Sequence, residues 1–138
     1  CASLTTLNVG HCSKLTDESI MAVARGCSSL TTLNVEHCFE LTDAAIRAVA
    51  QVCSLLTSLT VRRCCRLTYE SIVAVATGCT SLTLLNARGC HITDAAIKAV
   101  AAHCSSLTSF NISRCANITD ESIVAVAVGC TSLTSLNV

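Results

Sequence analysis

The chain has 138 residues, 51% of them hydrophobic but only 2% aromatic, with no Trp and no Pro. Nine Lys+Arg balance nine Asp+Glu, and this formal charge of zero argues against a general nucleic-acid binder. Asp, Glu, Arg or Ser interrupts every apolar run, so no stretch approaches the roughly 18 uninterrupted residues of a membrane span; no signal peptide is evident, and a first residue of Cys rather than Met predicts a fragment or processed piece of a longer protein.

Aligned on its cysteines, the chain divides into units 1–26, 27–52, 53–78, 79–103 and 104–129 and a partial unit 130–138. A period of 26 residues, shortened to 25 in the fourth unit, is the mark of a solenoid. In the first unit Leu7 and Val9 alternate with Thr6 and Asn8, which predicts a short strand with one buried face. Ile20, Val23, Ala24 and Cys27 then fall on one stripe of a helix. Thr16 sits at its N-cap, and Asp17 and Glu18 in its first turn cap free N–H groups and complement the helix dipole. The second unit repeats the strand as Leu30, Leu33 and Val35 and the helix start as Thr42-Asp43. The third carries Tyr69 where the others carry Asp, losing a dipole-favourable charge. The fourth and fifth restart helices at Thr93-Asp94 and Thr119-Asp120-Glu121. Gly26, Gly78 and Gly129 are expected to end helices in the left-handed conformation. One strand and one short helix cannot bury their apolar faces alone. Stacked units form a parallel sheet on one side and a row of helices on the other.

The pattern L-x-x-L-x-V-x-x-C (Leu4, Leu7, Val9, Cys12), followed by L/I-T-D-x-x-I, resembles the cysteine-containing leucine-rich repeat of F-box/leucine-rich-repeat proteins. The resemblance covers the whole chain. It implies an α/β leucine-rich-repeat solenoid with parallel strands on the concave face and helices on the convex face. It also implies a protein-binding module: the substrate-recognition repeats of a cullin–RING ubiquitin-ligase receptor. No F-box segment occurs in this sequence. Two other readings stay open, a scaffolding array without a ubiquitin link and a secreted recognition module. The sequons Asn111-Ile112-Ser113 and Asn117-Ile118-Thr119 bear only on the latter.

Twelve cysteines could signal metal, disulfides, catalysis or packing. No C-x-x-C pair of the zinc type occurs, so no metal or other cofactor is expected. The spacing reads as two buried ladders of free thiols, Cys12, Cys38, Cys64, Cys90 and Cys115, and Cys27, Cys53, Cys79, Cys104 and Cys130. Their thiols are expected to donate weakly to turn carbonyls. Free thiols imply a reducing compartment, cytoplasmic or nuclear. Cys65 lies outside both ladders. In the neighbouring pairs His11-Cys12, His37-Cys38, Cys90-His91 and His103-Cys104 the Cys belongs to a periodic core ladder and the His falls at different repeat positions, whereas a catalytic centre is singular; no enzyme is expected.

Shared positions build a solenoid, so binding belongs where the copies differ. The pair after each strand varies most: Gly10-His11, Glu36-His37, Arg62-Arg63, Arg88-Gly89, Ser113-Arg114. Arg62, Arg63, Arg88 and Arg114 are expected to line one edge of the concave sheet, with His37 beside them and Arg66 and Phe39 in the adjoining loops. Such a surface suits an acidic or phosphorylated peptide, because guanidinium grips carboxylate or phosphate bidentately. A solvated face that only maintains solubility is the other reading. Finally, the chain stops at Val138 at the end of a strand, and this open edge predicts either that flanking sequence in the native protein covers it or that copies of the fragment associate end to end.

Overall fold

The computed structural model describes residues 1–138. Strands β1 (Thr6–Asn8), β2 (Thr32–Asn34), β3 (Ser58–Thr60), β4 (Leu84–Asn86), β5 (Ser109–Asn111) and β6 (Ser135–Asn137) alternate with five helices. These are α1 (Asp17–Gly26), α2 (Asp43–Val52), α3 (Tyr69–Gly78), α4 (Asp94–His103) and α5 (Asp120–Gly129). The strands form one parallel sheet in chain order, each residue in register with its counterpart one unit on, such as Leu33 with Leu59 and Leu59 with Leu85. This is the α/β leucine-rich-repeat solenoid, with strands on the concave face and helices on the convex one. No helix is long and apolar enough to cross a membrane.

The strands are three residues long, so only the middle one points inward. Leu33, Leu59, Leu85 and Phe110 are buried and meet Ile46, Val49, Ile72, Val75, Ile97 and Val100 from the helices. Burying a side chain of this size is worth about 1.5–3 kcal/mol. The core is therefore a stack of equivalent layers without a centre. The cysteines complete each layer. Cys38, Cys64, Cys90 and Cys115 donate to the carbonyls of Val9, Val35, Val61 and Ala87, each in the unit before, at 3.1–3.3 Å. Cys53 and Cys79 point to the carbonyls of Cys27 and Cys53 at 3.7 and 3.5 Å. Two ladder members depart from the expected burial: Cys12 is exposed and Cys115 half-buried.

The helix starts also join neighbouring units, which corrects the expected role of the acids. Asp17 does not fold back on its own helix; its carboxylate accepts from the N–H and the hydroxyl of Thr42 at 2.8 and 2.6 Å. Asp43 does the same to Thr68, and Asp94 to Thr119. Tyr69 cannot, and Thr93, which faces it, forms no side-chain cap.

The helices alternate between two kinds. Odd units carry Glu70-Ser71 and Glu121-Ser122 and end in Gly78 and Gly129, whereas even units carry Ala pairs and a cation, Arg47 or Lys98. Ser71 and Ser122 donate to Asp43 and Asp94 of the preceding even unit. Arg47 pairs with Glu70 at 3.3 Å and Lys98 with Glu121 at 2.5 Å. A Cβ on Gly78 would collide with the Ala50 carbonyl oxygen, and one on Gly129 would collide with that of Ala101. These glycines therefore permit a close helix approach. The left-handed cap expected of them is absent, since Gly89 is the only glycine with positive φ. On the helical side, junctions two-to-three and four-to-five are fastened in four ways: the Asp–Thr tie, the Ser–Asp hydrogen bond, the ion pair and the glycine approach. Of these helical-side links junction one-to-two has only the Asp17–Thr42 tie, and three-to-four has none.

Candidate interaction surface

After each strand the chain turns sharply, and the turn sets the geometry of the variable pair. Asn8, Asn34, Asn86 and Asn111 each accept, through the side-chain oxygen, the N–H two residues on, at 2.9–3.2 Å. The outward Asn row thus has a structural task, closing the turn. The second residue of each variable pair then takes the left-handed conformation: φ is 66° at His11, 58° at His37, 57° at Arg63, 70° at Gly89 and 60° at Arg114. Only Gly89 is at ease there; for His and Arg the conformation costs about 1–2 kcal/mol each. The turns are also joined. The N–H groups of His37, Arg63 and Gly89 donate to the carbonyls of Arg62, Arg88 and Ser113, all at 2.9 Å. The row of variable side chains therefore rides on a hydrogen-bonded backbone.

Arg62, Arg63, Arg88 and Arg114 are brought together. Repulsion from Arg114, then Arg62, lowers the pKa of Arg88, with a smaller effect of Arg63. None of the four has a carboxylate within ion-pair distance, and the Nε of Arg62 is buried without a hydrogen-bond partner. Arg66 differs from the expectation: its guanidinium holds Glu40 at 2.9 Å, so it adds little free charge to this edge. The nearby acid Glu36 leans the other way, toward His11 at 3.7 Å.

His37 stacks on His11 with ring centroids 4.5 Å apart and meets the edge of Phe39 at 5.8 Å. Partial burial, then His11, Arg62 and Arg63, lower the His37 pKa. Phe39 is 42% exposed, as expected of that loop. Cys65 is exposed and points its thiol at the Arg63 carbonyl at 3.4 Å.

Three features escaped the sequence reading: His11 in the stack, the left-handed turns, and Leu84. Leu84 lies on the concave face and is 36% exposed. The only signal for it is a Leu at a position that holds Thr6, Thr32, Ser58, Ser109 and Ser135 in the other strands. All twelve cysteines are free, and no group of three or more His, Cys, Asp or Glu could hold a metal ion. The largest surface depression lies across the molecule, beside Lys98 and Glu121 on the helical face, where their ion pair already occupies the polar groups.

A family model described as Leucine Rich repeat matches residues 1–24, 78–101 and 103–127, just over half of the chain. The chain belongs to the leucine-rich repeat family. Leucine-rich repeats are protein–protein interaction modules, generally without catalysis of their own. With a cysteine after nearly every strand and a Thr-Asp helix start in most units, this is a cysteine-containing leucine-rich-repeat domain resembling those of F-box/leucine-rich-repeat proteins. Among solved structures, a chain from the crystal structure of the Rad7 and Elc1 complex in yeast superposes with a TM-score of 0.69 at 24% identity. The match covers 88% of this chain and 32% of that one, so this chain spans about a third of its length. Leiomodin-1 actin-binding site 2 superposes with a TM-score of 0.60 at 16% identity, over 99% of this chain and 70% of the other. At these identities the likeness is one of fold. No curated protein matches the chain by sequence.

Proposed function

We propose that the chain binds an acidic or phosphorylated peptide along the edge formed by Arg62, Arg63, Arg88 and Arg114, flanked by His37 and Phe39. The observation that carries this is four neighbouring arginines with no carboxylate partner; of the other five cations Arg47, Arg66 and Lys98 are paired, and Lys14 and Arg25 stand apart from one another in the first unit. Like charges held together are unfavourable, and an anionic ligand relieves that repulsion. Charge reversal of Arg63 and Arg88 should abolish binding of a phosphoserine peptide and flatten its salt dependence. Unchanged binding would return the row to a solvated face.

The biological setting that fits best is substrate recognition by an F-box-type ubiquitin-ligase receptor in the cytoplasm or nucleus. The cysteine-containing repeat subtype supports it, as does the membership of a similarly folded chain in a two-protein complex. The full-length protein, affinity-purified from cells, should bring down cullin–RING subunits. Their absence would leave a binding array without a ubiquitin link.

A further inference from the structure

The arginine edge occupies one end of the strands in the third and fourth units, and the other end of the same two strands differs from the rest of the array. Leu84, Asn86 and Arg88 are alternate residues along one strand and its extension, with Leu85 and Ala87 buried between them. They therefore share the concave face. Leu84 is flanked in register by Ser58 and Ser109, so its side chain stands above small neighbours. Leu55, in the turn leading into β3, is 57% exposed and replaces the serine of the other units: Ser3, Ser29, Ser81, Ser106 and Ser132. A single exposed leucine needs no explanation. Two apolar replacements in adjacent units, one in the turn before β3 and one at the start of β4, thus lie at the strand ends away from the unpaired Arg62, Arg63 and Arg88.

We infer that the ligand is an extended peptide lying along the strands of the third and fourth units, with its acidic or phosphorylated residue on Arg62 and Arg88 and a large apolar side chain on Leu84 and Leu55. This rests on the acidic-ligand reading above and deepens it by giving the ligand a second determinant and a spacing. Leu84 and Arg88 are four residues apart on an extended backbone, about 13 Å. An extended peptide beside them spans that distance in four residues. Between the two ends, the amide oxygens of Asn86 and Asn111 are taken by the N–H groups of Arg88 and Ser113. Their NH₂ groups have no partner in the chain and are free to donate to peptide carbonyls. Glu36, one unit away, disfavours placing the anion over the second unit. The two ends divide the labour: the arginines attract any anion, and the leucines select among anionic peptides.

The test uses synthetic decapeptides in a Gly-Ser background. Each carries one phosphoserine and a single leucine scanned through the other positions, in both orders, and binding is read by fluorescence polarisation. Affinity should peak when the leucine is four residues from the phosphoserine, about five- to tenfold above the leucine-free peptide. Leu84→Ser combined with Leu55→Ser, the residues most other units already carry, should erase the peak. The same variant should leave the melting temperature and the affinity for the leucine-free phosphopeptide unchanged. A flat scan, with Arg88→Glu still abolishing binding, overturns the apolar determinant and leaves the acidic edge standing. If Arg88→Glu changes nothing, both readings fall.

Discussion

The hydroxyl of Thr68 donates to the carboxylate of Asp43, one unit back, at 2.7 Å and accepts from the N–H of Glu70, two residues on, at 3.2 Å. One atom thus caps its own helix and ties it to the helix before. Thr42 and Thr119 repeat the arrangement with Asp17 and Asp94. Thr93, facing Tyr69, makes no such cap, so it is the neighbour's carboxylate that orients the capping hydroxyl.

This tie makes stability depend on acid. Hydrogen bonds from Ser122, then Thr119, hold the Asp94 carboxyl down at about 2, against 3.8 when unperturbed. A folded-state pKa below the unfolded one contributes stability that is complete above about pH 4 and lost as the pH falls through about 2. For Asp43, burial works the other way, but the bonds from Ser71 and Thr68 outweigh it and the net shift is again downward. The melting temperature should therefore drop between about pH 4 and about pH 2. Asp94→Asn should lower it at neutral pH and blunt that acid dependence; an acid transition unaltered by this change would contradict the assignment.

The helix-end glycines should respond in opposite ways. Gly78→Ala drives a methyl group onto the Ala50 carbonyl oxygen and should cost on the order of 1–3 kcal/mol. At Gly26 a Cβ would meet nothing within 4 Å, and Ala there should be neutral or stabilising by up to about 1 kcal/mol. Urea denaturation of the two variants decides, and equal losses would refute the close-approach role.

Arg63→Gly should separate stability from binding. The turn has φ of 57° at Arg63, which glycine adopts freely, so the variant should gain about 1 kcal/mol. It should also lose affinity for the phosphoserine peptide. A variant that is no more stable than the parent would show that the turn is not strained by its arginine.

The thiols should react in two classes. Burial pushes the pKa of Cys64, Cys79 and Cys90 up to about 12 and that of Cys104 to about 11, so almost no thiolate is present at neutral pH. In the native protein an excess of a colorimetric disulfide reagent should modify Cys1, Cys12 and Cys65 rapidly, because these are the exposed ones. The remainder should follow only on unfolding, to a total of 12. Rapid native labelling of Cys64 by mass spectrometry would contradict its place in the core.

Much of the architecture was legible because each layer repeats. Leu33 and Leu59 announce their strands, Thr42 announces its helix, and Cys38 and Cys64 announce a buried stack. What was hidden lies between units. Asp43 looks like a dipole partner of its own helix until the next helix is set beside it, and Gly78 looks like a turn residue until Ala50 is. The left-handed turns were disguised at Arg63 and Arg114 by residues that avoid the conformation, leaving Gly89 as the sole hint. The arginine edge was readable as charge, but its lack of counterions was not: only in the folded chain does Glu40 take Arg66 and Glu36 turn to His11.

The alternation of helix types limits how such a gene can be cut and joined. Excising the third unit alone would set α2 against α4. Arg47 and Asp43 would then face Ala95 and Ala96 where they now meet Glu70 and Ser71, and His103 would press on the Ala50 carbonyl in place of Gly78. Removing the second and third units together would instead set α1 against α4, an odd helix before an even one, with Asp17 offered to Thr93. The quantum of inheritance in this array is therefore the pair, about 52 residues long, and recombination that copies or drops one unit at a time works against it.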